Sequence, residues 1–322
     1  MAGGLAIALS GGGAKGAFQV GVIDELVTRR GVDFETVVGT STGAIQAAGV
    51  AQDTVPELLD FWLGLKGPDD IYRSRGGPIW AIITGKNSIY STGPLKGLLK
   101  SAFRDEDIRK TGKNLRIAVV NINTGKLNIV GENADQIHDW VYASSAQPPF
   151  FPPFETRDSA GVDEQWVDGG VRDVTPFAAA LRERPKSLLV VRAEAPLKPR
   201  SKSFDNLAEI GLRSVEILTR EVADCDLKNV GLFNDFLEAE TDQRLRLASM
   251  GLSQSQIDEV MKPFADQINR YKLVPTLVLE PDTDLYDTLE FVPSLIRQNI
   301  DRGRRLVERR WQEIAAFLDV PE

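Results

Sequence analysis

The sequence predicts an α/β fold built on a parallel sheet, and two observations carry that expectation. Residues 4–52 run strand, helix, strand, helix, the order that lays parallel strands side by side with helices over them. The strand segments are short, nearly continuous apolar runs bounded by turn residues, as expected of strands buried on both faces.

The first such run is "GLAIALS" (4–10). The helix after it carries Phe18, Val22, Ile23, Leu26 and Val27 at helical spacing and closes on Arg29, Arg30 and Gly31, a basic last turn with a glycine stop. "ETVVGTS" (35–41) is the second strand, and "TGAIQAAGVAQ" (42–52) a helix of mostly small residues. Between Leu65 and Thr92, turn residues flank an apolar centre at Ile79–Ile83, which reads as satellite core or as a mobile cover over a site. "LRIAVVNIN" and "TGKLNIV" pair as a hairpin about Asn123–Lys126, and "NADQIHDWVYASSA" is a helix stopping before "QPPFFPPF". "EQWVDGGV" and "KSLLVVRAE" are further strands. Beyond about residue 200 the pattern is mainly helical, ending in one helix over roughly 291–318 with Leu295, Ile296, Ile300, Leu306, Val307, Trp311, Ile314, Phe317 and Leu318 on a stripe. Nothing reads as a repeat, a low-complexity tract or a linker, so a single domain is expected.

Composition narrows the function classes. The 322 residues are 42% hydrophobic and 26% charged, with a formal net charge of −8, which disfavours a nucleic-acid binder. Cys225 is the only cysteine and His138 the only histidine, which excludes an intrachain disulfide and any Cys-rich metal site. No apolar run approaches the roughly 20 residues of a transmembrane helix. The N-terminal stretch lacks the basic start and long apolar core of a signal peptide, so a cytoplasmic location is expected.

The chemistry is carried by three stretches. "GTSTG" (39–43) sets Ser41 between Gly39 and Gly43, after a strand and before a helix. A nucleophile on so sharp a turn needs glycine on both sides, because a β-carbon there would clash. The helix N-terminus beyond it favours developing negative charge. Serine needs a base, and His138 sits in mid-chain on a predicted helix, where it reads as an ordinary helical histidine. An acid is the remaining ordinary choice. Asp168, at the end of the strand in "WVDGG" and followed by Gly169 and Gly170, is the leading candidate; the same residues also read as a plain Asp-Gly turn. The third stretch, "SGGGAKG" (10–16), frees consecutive backbone N–H groups to hold an oxyanion. It also fits the dinucleotide fingerprint G-x-G-x-x-G, but no acidic residue ends the second strand to bind a ribose.

Together these stretches resemble the patatin-like phospholipases. The features that match are Gly11-Gly12-Gly13-Ala14-Lys15-Gly16, Gly39-Thr40-Ser41-Thr42-Gly43, Asp168-Gly169-Gly170 and the block "ASSAQPPFFPP" (143–153), in the same order, over about residues 5–195. The resemblance implies a three-layer α/β/α architecture with a mainly parallel central sheet. Residues 5–195 would form the catalytic core, and 196–322 a mainly helical C-terminal part packed on it. It further implies a serine–aspartate dyad of Ser41 and Asp168, an oxyanion hole of the Gly11, Gly12 and Gly13 amides, no metal or organic cofactor, and hydrolysis of acyl chains from phospholipids or lysophospholipids. Lys15 stands where the family often has arginine, which keeps the charge but loses the planar fork. An acyltransferase or thioesterase on the same scaffold, a dinucleotide-dependent oxidoreductase and a catalytically silent lipid-binding protein are the other readings.

An acyl substrate needs an apolar channel beside Ser41. Trp80, Ile82, Phe150, Phe151 and Phe154 are its candidate lining, and equally readable as core. Arg297, Arg302, Arg304, Arg305, Arg309 and Arg310 cluster on the last helix, where a solvated face is expected and membrane contact only transient.

Overall fold

The computed structural model describes residues 3–76, 84–195, 203, 207–271, 273–283, 285 and 287–321. β1 (Gly3–Leu9) leads through a 3-10 turn at Gly13–Gly16 into α1 (Ala17–Ile23), which widens into a π turn ending at Arg29. β2 (Thr36–Thr40), α2 (Thr42–Ala51) and α3 (Val55–Gly64) follow. A small ribbon of β3 (Arg73–Ser74) and β4 (Tyr90–Ser91) precedes α4 (Gly93–Ala102) and α5 (Asp105–Thr111). The middle of the chain contributes β5 (Asn114–Asn121), β6 (Lys126–Gly131), α6 (Ile137–Ser145), β7 (Phe154–Arg157), β8 (Asp163–Asp168), α7 (Phe177–Arg182) and β9 (Pro185–Val191). Last come α8 (Leu207–Ser249), α9 (Gln254–Tyr271), β10 (Thr276–Leu279), α10 (Pro293–Arg309) and α11 (Trp311–Leu318).

The expected α/β class is the one observed. Eight strands form one sheet in the order β10-β9-β1-β2-β5-β8-β7, with β6 also on β5. Pairing is parallel from β10 to β5 and antiparallel beyond it. Strands in the parallel half bury both faces. Ala6 and Ala8 of β1 join Val38, Leu188, Val190 and α7 residues Phe177 and Ala180 on one side. Ile7 and Leu9 join α1, α2 and α3 on the other. This two-sided burial explains the unbroken apolar runs.

β5 is where the two halves meet. β2 pairs with its residues 114–118, while β8 pairs with Val119–Asn121. β6 occupies residues 116–121 and so takes the opposite edge. β2 and β8 therefore share one edge of β5 and approach each other end to end, which brings two distant parts of the sequence to one point.

The C-terminal part belongs to this architecture. β10 pairs with β9 at the sheet edge, and α10 lies against α1. That contact is closest at two glycines: a β-carbon on Gly21 would lie 1.9 Å from the Ile300 carbonyl oxygen, and one on Gly303 would lie 2.1 Å from that of Phe18.

Two local expectations change. β7 and β10 are strands that were not anticipated. Both are four-residue segments, too short for periodicity to separate strand from loop or helix. The single last helix is two, because Arg310 leaves helical geometry at φ −104° and ψ 14° and Trp311 starts a new one. Three of the six clustered arginines pair within the chain, Arg304 with Asp24 and Asp301, Arg309 with Asp282, and Arg310 with Glu313, while Arg297, Arg305 and Arg309 are exposed, in keeping with a solvated face. Ile79–Ile83, including Trp80 and Ile82, lies outside the described residues.

Candidate active site

Ser41 sits on the turn between β2 and α2 with φ 57° and ψ −126°, a conformation that costs a non-glycine residue about 1–3 kcal/mol. The surroundings hold it there. A β-carbon on Gly39 would fall 2.2 Å from the Gly43 carbonyl oxygen, and one on Gly43 would fall 2.2 Å from that of Leu9. Glycine at both positions lets the first turn of α2 close onto β2 and β1, lifting residue 41 out of the sheet. Ser144, fully buried on α6, fixes the turn from the other side. Its hydroxyl accepts a bond from the Ser41 amide at 2.9 Å and donates to the Ala118 carbonyl of β5 at 2.7 Å. Ser145 donates to the Ser41 carbonyl at 3.3 Å.

Asp168 ends β8 opposite Val119, one residue beyond Ala118, the partner of Thr40 at the end of β2. Its carboxylate accepts the Gly170 amide at 2.7 Å and interacts with the Ser41 side chain. The residue is 3% exposed. Burial raises its pKa from 3.8 to about 7, against the smaller lowering effects of Ser41 and Gly170. Such a carboxyl group exchanges a proton near neutral pH, as a general base must. Gly169 permits the approach, since a β-carbon there would lie 2.4 Å from the Ala118 carbonyl oxygen. His138, in the first turn of α6, lies beside Asp139 and is not among the described residues around Ser41.

The glycine loop lies against the same point. Thr42 donates to the Gly13 carbonyl at 3.0 Å, and Gln46 donates to that of Gly16. A β-carbon on Gly16 would strike Thr42. Of the three amides expected to form the oxyanion hole, that of Gly11 donates to the Val174 carbonyl at 2.9 Å, while those of Gly12 and Gly13 have no acceptor among the described residues. Gly11 matters through proximity instead: a β-carbon there would lie 3.1 Å from that of Ser41. Lys15 is nearly buried and pairs with Glu194 at 2.6 Å, and Glu194 also meets Arg220 of α8 at 3.2 Å. A lysine suffices here because it makes one point contact with Glu194.

Ser41 opens onto an apolar cavity of about 40 Å³. Ile45, Phe61, Trp62, Leu65, Ile71, Leu95, Phe151, Leu289 and Phe291 form its walls. Phe151 is thus the one described member of the expected channel that reaches it. Phe150 stacks on Tyr90, and Phe154 meets Trp140 edge-on. The α3 and α10-flanking aromatics were legible only as helix-face residues, since nothing in their local spacing points toward Ser41. Among the described residues, no group of three or more His, Cys, Asp or Glu side chains is placed to hold a metal ion.

Residues 7–181, more than half of the chain, match the family model for patatin-like phospholipases. The chain belongs to the patatin-like phospholipase family. A cUMP-AMP-activated phospholipase of Escherichia coli is 28% identical over 336 residues, covering 96% of this chain and 90% of its own. A cGAMP-activated phospholipase of Pseudomonas aeruginosa is 25% identical over 277 residues, covering 80% and 78% respectively. The crystal structure of VipD from Legionella pneumophila aligns with 99% of this chain and 67% of its own, with a TM-score of 0.44 and 16% identity. Among the described residues of this patatin-like chain, no helix is long and apolar enough to cross a membrane.

Proposed function

We propose that the protein is a serine lipid acyl hydrolase that releases fatty acids from phospholipids or lysophospholipids through a Ser41–Asp168 dyad. The observation that carries this reading is the convergence of Ser41 and Asp168 on one edge of β5, with burial lifting the Asp168 pKa to about 7. Asp168, ionised, takes the proton as Ser41 Oγ attacks the ester carbonyl. The Gly12 and Gly13 amides receive the oxyanion, and the N-terminus of α2 adds a favourable dipole. The leaving alkoxide recovers the proton from Asp168 as the acyl-enzyme forms. Water then attacks the acyl-enzyme with Asp168 again as base, and Ser41 Oγ departs with that proton, freeing the fatty acid and restoring the ionised Asp168. The residues named complete this cycle by themselves.

The decisive experiment compares wild type with Ser41→Ala on phospholipid, lysophospholipid and neutral-lipid micelles, with free fatty acid measured by mass spectrometry. Release that vanishes in Ser41→Ala supports the reading, and the lipid consumed names the substrate. Undiminished release by Ser41→Ala refutes it. Adding alcohol acceptors and thioesters separates hydrolysis from acyl transfer.

A second element concerns control. The similarity to the cUMP-AMP-activated phospholipase extends past the family-matched region through most of the chain, which supports activation by a cyclic dinucleotide. The proposed reaction takes place in the cytoplasm, with transient contact at a membrane surface. Titrating cyclic dinucleotides into the lipid assay tests the control, and a rate that stays flat across them removes it.

A further inference from the structure

The segment after β10 reaches back across the site. The Thr288 carbonyl accepts the Ala14 amide at 2.8 Å, next in line after the free amides of Gly12 and Gly13. It lies so close to Gly13 that a β-carbon there would be 2.2 Å from the Thr288 oxygen. Leu289 and Phe291 then line the same cavity as Ser41. Two further contacts pin the segment. Tyr72 donates to the Leu289 carbonyl at 2.9 Å, and Phe291 packs between Trp62 and Tyr72, with ring centroids 6.3 Å from each.

We infer that residues 287–291 are an intramolecular plug, whose Thr288 carbonyl docks on the glycine loop and whose Leu289 and Phe291 side chains occupy the place of the substrate's acyl chain. The inference rests on the reading of Ser41 as the nucleophile. The chemistry of the plug resembles what it displaces: a carbonyl oxygen on the Ala14 amide beside the glycine loop, and apolar side chains among Trp62, Ile71 and Leu95. The remaining 40 Å³ is far too small for a fatty acyl chain. The segment is also built to leave as a unit. The Glu290 amide donates to the Asp287 carbonyl at 3.1 Å, closing a local turn, and Val292 is extended (φ −95°, ψ 124°) just before α10 begins at Pro293. Its attachment to the site consists of two hydrogen bonds, the packing of Phe291 on Trp62 and Tyr72, and the apolar contacts of Leu289, a small set for a regulator or a lipid surface to displace. Burial pushes the Tyr72 hydroxyl up to about 12, so it remains a donor throughout the working pH range.

The test reads access to position 41 without relying on catalysis. Cys225 is exposed, so Ser41→Cys is made in a Cys225→Ser background and its thiol is modified with methyl or dodecyl methanethiosulfonate. The dodecyl reagent is expected to react about tenfold or more slowly than the methyl one, by the fraction of time the plug is out. Adding Tyr72→Phe, which removes one hydroxyl, should narrow the gap by roughly 2- to 10-fold. Phe291→Ser should narrow it further, and the conservative Tyr72→Phe carries the test if Phe291→Ser fails to fold. Equal rates for the two reagents, or a gap unmoved by Tyr72→Phe, would overturn the plug. The same Tyr72→Phe change with Ser41 intact should speed phospholipid hydrolysis. A thiol gap that narrows in a protein hydrolysing no ester keeps the plug and removes the hydrolase reading.

Discussion

Ser41 and Asp168 stand at the tips of two strands that run toward each other along one edge of β5, the changeover falling between Ala118 and Val119. Their separation is set by the register of a sheet rather than by loops, and the sheet is buried on both faces around it. The Gly170 amide then fixes the Asp168 carboxylate from just beyond its own strand end.

Removal of either partner is expected to abolish turnover. Ser41→Ala and Asp168→Asn should each lower fatty acid release by at least about 10³-fold while leaving the circular dichroism spectrum unchanged. An Asp168→Asn protein within tenfold of wild type would remove Asp168 as base.

The pH profile follows from the same carboxyl group. As the proposed base, Asp168 works only when ionised, so kcat/KM should rise with pH and reach half its plateau near pH 7. Stability runs the other way. The folded pKa, about 7, lies above the value of 3.8 for the unfolded chain, so the folded state binds the extra proton between those values. The associated stability is fully present below about pH 4 and lost as pH rises through 7. Asp168→Asn should therefore gain more in melting temperature at pH 8 than at pH 5, measured by calorimetry.

Ser144 is expected to act through position rather than contact with substrate. Ser144→Ala leaves the buried Ser41 amide and Ala118 carbonyl without their shared partner, costing about 1–3 kcal/mol in denaturant unfolding. It should lower kcat with little change in KM and leave the pH midpoint in place. A shifted midpoint would mean that Ser144 touches the chemistry directly.

Two glycines offer opposite outcomes. Gly43→Ala would force a methyl group to 2.2 Å from the Leu9 carbonyl and should leave little folded protein. Gly97, within exposed α4 and with open space around its Cα, should tolerate alanine and gain about 0.5–1 kcal/mol. Thermal melts of the two variants check both.

What the sequence made legible was whatever repeats locally. The apolar runs of β1, β2 and β9, the glycine-bounded turn at Ser41 and the Asp168-Gly169-Gly170 strand end could each be read in place, because burial and sharp turns restrict residue choice where they occur. What remained hidden depends on long-range pairing. The antiparallel return of β8 onto the edge left by β2, the capture of the Gly11 amide by Val174, and the arrival of Leu289 and Phe291 beside Ser41 leave no periodic trace. Ser144 lay within a block that was noticed, but a buried serine looks the same on the page whether it fills space or holds a backbone amide.

The glycine contact between α1 and α10 bears on how the protein comes into being. The glycine loop beside Ser41 feeds α1, and α1 is backed by Ile300 and Gly303 of α10, far away in the sequence. A chain folded only as far as β10 can pair its whole sheet, yet the Gly21 face of its first helix still lacks its α10 partner. Domains fold as units once their parts are available. The last long helix must therefore reach α1 before the glycine loop is braced, so the candidate site is complete only once segments about 280 residues apart have packed together.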